Sequence, residues 1–209
     1  MLVRSPLILK LNGKTDFPED KAPLSPIQAT VEDAVRLGAS AVGYTLYVGS
    51  AAQEQDFEQL RKVRADAERL GIPLIVWSYP RGEAVDLKGG STSFYAVDYA
   101  ARVASELGAD MVKVNFPRPE MIVGVKPPYD FTFTPQQAIA EVVKSANRSM
   151  LLISGGEKAL EDVMLVRARE ARAAGATGFI FGRNIWQREH DDSLKFVAKL
   201  REILADAPD

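Results

Sequence analysis

Met150-Leu151-Leu152-Ile153-Ser154-Gly155-Gly156 and Gly178-Phe179-Ile180-Phe181-Gly182-Arg183-Asn184 are built alike: an apolar run of strand length that stops on glycine. Working outward, the same kind of run recurs at Leu7–Leu11, Ala41–Tyr47, Leu74–Trp77 and Met111–Val114. A near-continuous apolar strand is one buried on both faces, as in a parallel sheet. Between the runs lie stretches with helical spacing, predicted at 26–38, 51–70, 92–107, 135–146, 158–174 and 191–205. Gly38, Gly71, Gly108 and Gly175 close four of them at positions suited to a left-handed cap. Ser91 or Thr92 is placed to open the helix that follows Gly89-Gly90.

The alternation of strand and helix leaves two architectures, a doubly wound open sheet or a (β/α) barrel. No Gly-x-Gly-x-x-Gly turn follows the first run, as a dinucleotide fold would want. The glycine ends of the last two runs instead fit the phosphate loops that barrels carry after their final strands, where backbone N–H groups approach the oxygens. The barrel is therefore expected, as a single domain over 1–209 with neither linker nor low-complexity tract.

Composition narrows the chemistry. The 209 residues carry 26 Lys+Arg against 28 Asp+Glu, a formal charge of -2, and are 46% hydrophobic and 26% charged. That balance lacks the basic footprint of a nucleic-acid or membrane-surface protein. With zero cysteines, disulfides, zinc ribbons, iron–sulfur clusters and thiolate nucleophiles are out of reach. The one histidine, His190, cannot build a multi-histidine metal site and reads as a surface or capping residue. No run approaches the roughly 20 apolar residues of a spanning helix, so a cytoplasmic protein is expected.

Lysine, tyrosine, arginine, carboxylates and backbone amides remain. Lys113 stands inside the apolar run Met111–Val114, and burial there would disfavour its charged form and free a neutral amine to attack a carbonyl. Lys10, in Leu9-Lys10-Leu11-Asn12, has the same character, and the residues alone do not choose between the two lysines. Trp77 and Tyr79 are two apart on one strand and share a face. A tyrosine hydroxyl there is a candidate general acid or base, with the indole N–H to orient a substrate hydroxyl; an aromatic packing cluster is the competing reading. Arg81 and Arg183 are candidates for charge-assisted bonds to phosphate.

Trp77-Ser78-Tyr79-Pro80-Arg81-Gly82, Ala109–Asn115, Ile153–Gly156 and Gly182–Gln187 fall in order at successive strand ends. Together with Leu9–Thr15 and Val42–Ser50, they resemble the archaeal-type class I fructose-bisphosphate aldolases of the DeoC/LacD aldolase group. The resemblance implies a (β/α)8 TIM-barrel type, with Lys113 as Schiff-base lysine and Tyr79 as proton-transfer group beside Trp77. It implies phosphate binding by Ser154, Gly155, Gly156, Gly182 and Arg183, with Arg81 near the second phosphate and Lys10 and Asn12 completing the substrate contacts. Glu120 is the nearest candidate for the family's catalytic glutamate. No metal or other cofactor is then expected, the lysine forming the covalent link itself. The expected activity is that of a carbon–carbon lyase of glycolysis and gluconeogenesis, a homo-oligomer with a sugar phosphate as its partner. Its reaction is the reversible cleavage of fructose 1,6-bisphosphate to dihydroxyacetone phosphate and glyceraldehyde 3-phosphate. Another sugar-phosphate aldolase or transaldolase-like enzyme of the superfamily, or a non-catalytic sugar-phosphate-binding remnant, are the alternatives.

The resemblance also sets the strand count. It puts the lysine on the sixth barrel strand, so that Leu7–Leu11 becomes the third and six βα units stand for strands three to eight. The family's catalytic aspartate, on the first two strands, then has no counterpart. An open cleft beside Leu7–Leu11, or a partner chain covering that edge, is expected. A closed barrel would leave Asp16 or Asp130 as candidate carboxylates.

Overall fold

The six apolar runs form six strands: β1 (Ile8–Lys10), β2 (Ala41–Leu46), β3 (Leu74–Ser78), β4 (Met111–Val114), β5 (Met150–Ser154) and β6 (Gly178–Ile180). Between and after them come α1 (Val31–Arg36), α2 (Gln53–Leu70), α3 (Glu83–Asp86), α4 (Phe94–Glu106), α5 (Pro135–Ser145), α6 (Glu161–Ala173), α7 (Gly182–Trp186) and α8 (His190–Ala205). The structure is a computed structural model and describes residues 5–15, 17, 22–119, 126 and 129–205.

Every strand pairs in parallel with the next in chain order, β1 through β6. This order separates the two architectures. A doubly wound sheet reverses its winding at a switch point, whereas a barrel adds each strand on the same side. The winding here never reverses, and the sheet curls as six strands of a barrel. Among the described residues β1 pairs only with β2 and β6 only with β5, so the barrel is open between them.

Strand periodicity then sorts the side chains. Leu9, Val42, Tyr44, Leu46, Leu74, Val76, Val112, Val114, Leu151 and Ile153 face the helices and join one apolar core. Leu60 and Val63 from α2, Val97 and Ala101 from α4, and Ile139 and Val142 from α5 meet them there. A second cluster joins Met164 and Ala168 of α6 to Phe196 and Leu200 of α8 through Phe181. Two buried bonds fix strands to their covering helices. The Tyr44 hydroxyl donates to Asp56 Oδ1 at 2.5 Å, and the Ser78 hydroxyl to the Ala100 carbonyl at 2.8 Å. The opposite, concave face carries Gly43, Thr45, Ile75, Trp77 and Lys113, which are partners in adjacent registers.

Boundaries differ from expectation where a local bond intervenes. Helix α1 starts at Val31 rather than near 26, because Ile27 bridges to Asn12 and Thr30 forms a capping box with Asp33. Ser93, one residue beyond Ser91 and Thr92, is the side chain that caps α4. The stretch after β6, expected as a loop, turns directly into α7 at Gly182. Positive φ at Gly38, Gly71, Gly108 and Gly175 agrees with their expected role as helix stops. His190 is the first residue of α8 and exposed, as expected.

Candidate active site

Lys113 lies in the middle of β4, directly across from Trp77 on β3. The register turns both side chains to the concave face, and Lys113 is only 7% exposed. Its Nζ donates to the Tyr79 hydroxyl at 2.7 Å. It also stands 5.4 Å from the Tyr79 ring centre and 5.9 Å from that of Trp77. The amine has lost most of its water, and the Arg183 guanidinium adds repulsion, so its pKa falls from 10.5 to about 8. A substantial neutral fraction near neutral pH is the property a lysine nucleophile needs.

Tyr79 follows the end of β3, two residues beyond Trp77. Burial raises its pKa, while Ser154, Arg81 and Arg183 pull it back toward the ordinary phenol value. The Arg81 guanidinium stacks 5.7 Å from the centre of the Tyr79 ring. A protonated phenol hydrogen-bonded to an amine of lowered basicity can pass a proton between that amine and a bound molecule. The Trp77 ring occupies space that Gly43 vacates on β2: a Cβ there would lie 2.2 Å from Trp77 Cζ3.

A cleft of about 710 Å³ opens at the C-terminal ends of β3 to β6. Arg81 lines one side, Ser154, Gly155, Gly156 and Arg183 the other, and Asn115, next after the lysine strand, lies between them. Gly155 is bounded tightly, since a Cβ on it would meet Phe181 at 3.0 Å and Asn184 at 3.1 Å. Arg118 and Arg167 also line the cleft, and neither was singled out from the sequence. The Arg167 guanidinium lies 5.6 Å from the Phe116 ring centre. A cleft with arginines at separate points of its wall suits a ligand bearing more than one anionic group.

The structure thus brings Lys113, Tyr79 and Trp77 together, with Arg81, Ser154, Gly155, Gly156 and Arg183 around one cleft above them. Gly182 opens α7 immediately before Arg183. Lys10 sits at the edge of the same concave face, on the exposed edge strand and in register with Gly43; burial and then the Lys113 ammonium lower its pKa, yet it keeps contact with solvent. Asn12 was expected at the substrate, but it is 2% exposed and its amide is committed to the backbone. Its Nδ2 donates to the carbonyls of Thr45 at 2.8 Å and Ser25 at 3.3 Å, and its Oδ1 accepts from the Thr45 N–H at 2.7 Å. That pattern ties the segment after β1 to the end of β2. Glu120 lies outside the described residues. Among the described residues before and after it, Arg118 exchanges backbone bonds with Thr92 and Phe94, and the Tyr129 hydroxyl donates to buried Asp98 at 2.8 Å.

Sequence reasoning missed Asn184. It is 1% exposed, at the start of α7, and binds the loop after β5 through three hydrogen bonds.

Residues 3–188 match the model of the DeoC/LacD family aldolases. The chain is 42% identical over 200 residues to the fructose-bisphosphate aldolase class 1 of Thermoproteus tenax, covering 95% of this chain and 68% of that protein. It is 35% identical over 184 residues to the protein of the same name in Halobacterium salinarum, covering 88% of this chain and 62% of that one. The chain therefore spans about two thirds of the length of these relatives. A solved archaeal fructose-1,6-bisphosphate aldolase, with its catalytic lysine covalently bound to the carbinolamine intermediate of the substrate, superposes with a TM-score of 0.81. That structure shares 40% identity, over 95% of this chain and 71% of its own.

Proposed function

We propose that this chain, which belongs to the DeoC/LacD aldolase family, carries the Schiff-base chemistry of a class I fructose-bisphosphate aldolase. The observation that supports this best is a lysine of lowered basicity, buried on the concave face and hydrogen-bonded to a tyrosine below an arginine-lined cleft.

In this reading the neutral Lys113 amine adds to the C2 carbonyl of fructose 1,6-bisphosphate, and loss of water from the carbinolamine leaves an iminium. Tyr79 gives its proton to the departing hydroxyl of the carbinolamine, and the phenolate so formed takes the proton of the C4 hydroxyl. The electrons of the C3–C4 bond then flow into the iminium, giving an enamine, and glyceraldehyde 3-phosphate leaves. Protonation at C3 and hydrolysis return the lysine and release dihydroxyacetone phosphate. Trp77 walls the reacting centre, and Glu120 is the candidate for the family's catalytic glutamate. Arg81 on one side, and Ser154, Gly155, Gly156, Gly182 and Arg183 on the other, hold the two phosphates and fix the carbonyl against the amine. Lys10 adds positive charge to the edge of the same face.

No metal takes part, because the iminium is the electron sink. The reaction belongs to the hexose–triose interconversion of glycolysis and gluconeogenesis. Its charged substrates do not cross membranes unaided, which favours the cytoplasm.

Incubation with dihydroxyacetone phosphate followed by borohydride reduction tests the reading. The expected product is a reduced adduct located by mass spectrometry on Lys113 and absent in Lys113→Met. An adduct on Lys10, or none at all, overturns it.

A further inference from the structure

We propose that Asn184 is a positioning residue that shapes the cleft for a phosphate group, a proposal that rests on the aldolase reading above. Its Nδ2 donates to the carbonyls of Gly155 and Glu157, both at 3.1 Å, and its Oδ1 accepts from the Ala159 N–H at 2.9 Å. One side chain at the start of α7 thus fixes three peptide groups of the loop that follows β5. Backbone already joins the two loops at one point, where the Gly155 N–H donates to the Ile180 carbonyl at 3.2 Å. The amide holds the loop from there to residue 159.

Only an amide meets this demand, since it offers two donors and an acceptor in one plane. The fit is tight, because a Cβ on Gly155 would approach Asn184 Nδ2 to 3.1 Å. Asn184 is itself held: Arg188 Nε donates to its carbonyl at 2.7 Å, while Arg188 Nη1 binds Glu161 at 3.0 Å. Asn184 thereby sets the spacing between Ser154, Gly155 and Gly156 on one loop and Arg183 on the next, all of which line the cleft. Its own atoms need not touch the ligand. Asn184 should therefore matter for a phosphorylated carbonyl compound and hardly at all for one without phosphate.

Borohydride trapping on Lys113 with two probes tests this, dihydroxyacetone phosphate and dihydroxyacetone. In Asn184→Asp a carboxylate oxygen replaces the donor facing two carbonyls. Half-saturation by the phosphorylated probe should then rise about tenfold or more, and that by dihydroxyacetone should change less than about twofold. Asn184→Ala, which adds no charge, should shift the ratio of the two probes in the same direction; circular dichroism selects whichever variant is folded. Equal losses for both probes make Asn184 a purely structural residue and overturn the proposal, as does no change for either. If the wild-type chain traps neither probe, the aldolase reading itself fails and this proposal falls with it. A wild-type chain that traps both probes beside a variant that behaves like it sinks the proposal alone.

Discussion

At the scale of the residue, Lys113 is held where its charge is disfavoured, which has two measurable consequences. Since only the neutral amine attacks, the rate of adduct formation should rise with pH along a limb whose midpoint is near 8. Arg183 helps to lower that midpoint, so Arg183→Ala should move it upward as well as weakening the phosphorylated substrate by about 1.5–3 kcal/mol. A pH–rate profile of both proteins checks the two effects together; an unmoved midpoint would remove Arg183 from the vicinity of the amine. The second consequence concerns stability. The folded pKa lies below the unfolded one, so the folded chain pays for the ammonium below about pH 8, and that cost fades as pH rises toward 10.5. Lys113→Met should therefore be inactive yet more stable near pH 7, by about 1–2 kcal/mol once the lost bond to Tyr79 is subtracted. Denaturant melts at pH 7 and 10 should show the advantage shrinking at the higher value. A charged side chain inside an apolar run stands out, which marked Lys113 and Lys10 alike; the family resemblance chose Lys113. Strand periodicity put Trp77 and Tyr79 on one face, and only the register brings that face to Lys113. Asn184 was not legible, because its three partners lie 25 to 29 positions away on another loop. Asn12 was misjudged for the same reason: its amide binds Thr45, 33 positions along the chain.

At the scale of the element, the strands were read nearly to the residue because each is an uninterrupted apolar run bounded by turns. The short helices α3 and α7 were not, since four or five residues give too little periodicity to register. Register carries more functional weight than either boundary. Trp77 on β3 is in register with Thr45 on β2, and its ring reaches back over Gly43, where no side chain fits between backbone and indole. Gly43→Ala should push the ring away, destabilise the chain by about 1–3 kcal/mol, and slow adduct formation on Lys113 by disturbing the wall beside it. Ala41→Gly, at the start of the same strand, is the control for a general loosening of β2. Should Gly43→Ala match the wild type in melting and trapping, Trp77 would be free to move and its placement beside the lysine would lose its structural basis.

At the scale of the whole molecule, six βα units in a row left the winding of the sheet open, and it was the glycine-ended last runs that pointed to the barrel rather than to a switch-point fold. The expected opening beside the first strand is there. β1 is three residues long and has β2 as its one strand partner among the described residues. Ile8, on its concave side, is 42% exposed, and Lys10 is exposed with it. A parallel strand edge with apolar side chains in water invites pairing with another chain. For the chain of 209 residues this predicts self-association that covers β1, and association of folded copies stabilises them by mass action. The melting temperature should accordingly climb with protein concentration over about a hundredfold range, in step with a rise in sedimentation mass. Ile8→Glu, which places a carboxylate on the exposed edge, should return the chain to a monomer with a melting temperature independent of concentration. A wild-type chain that sediments as a monomer with a flat melting temperature across that range would show that β1 is stable as an open edge.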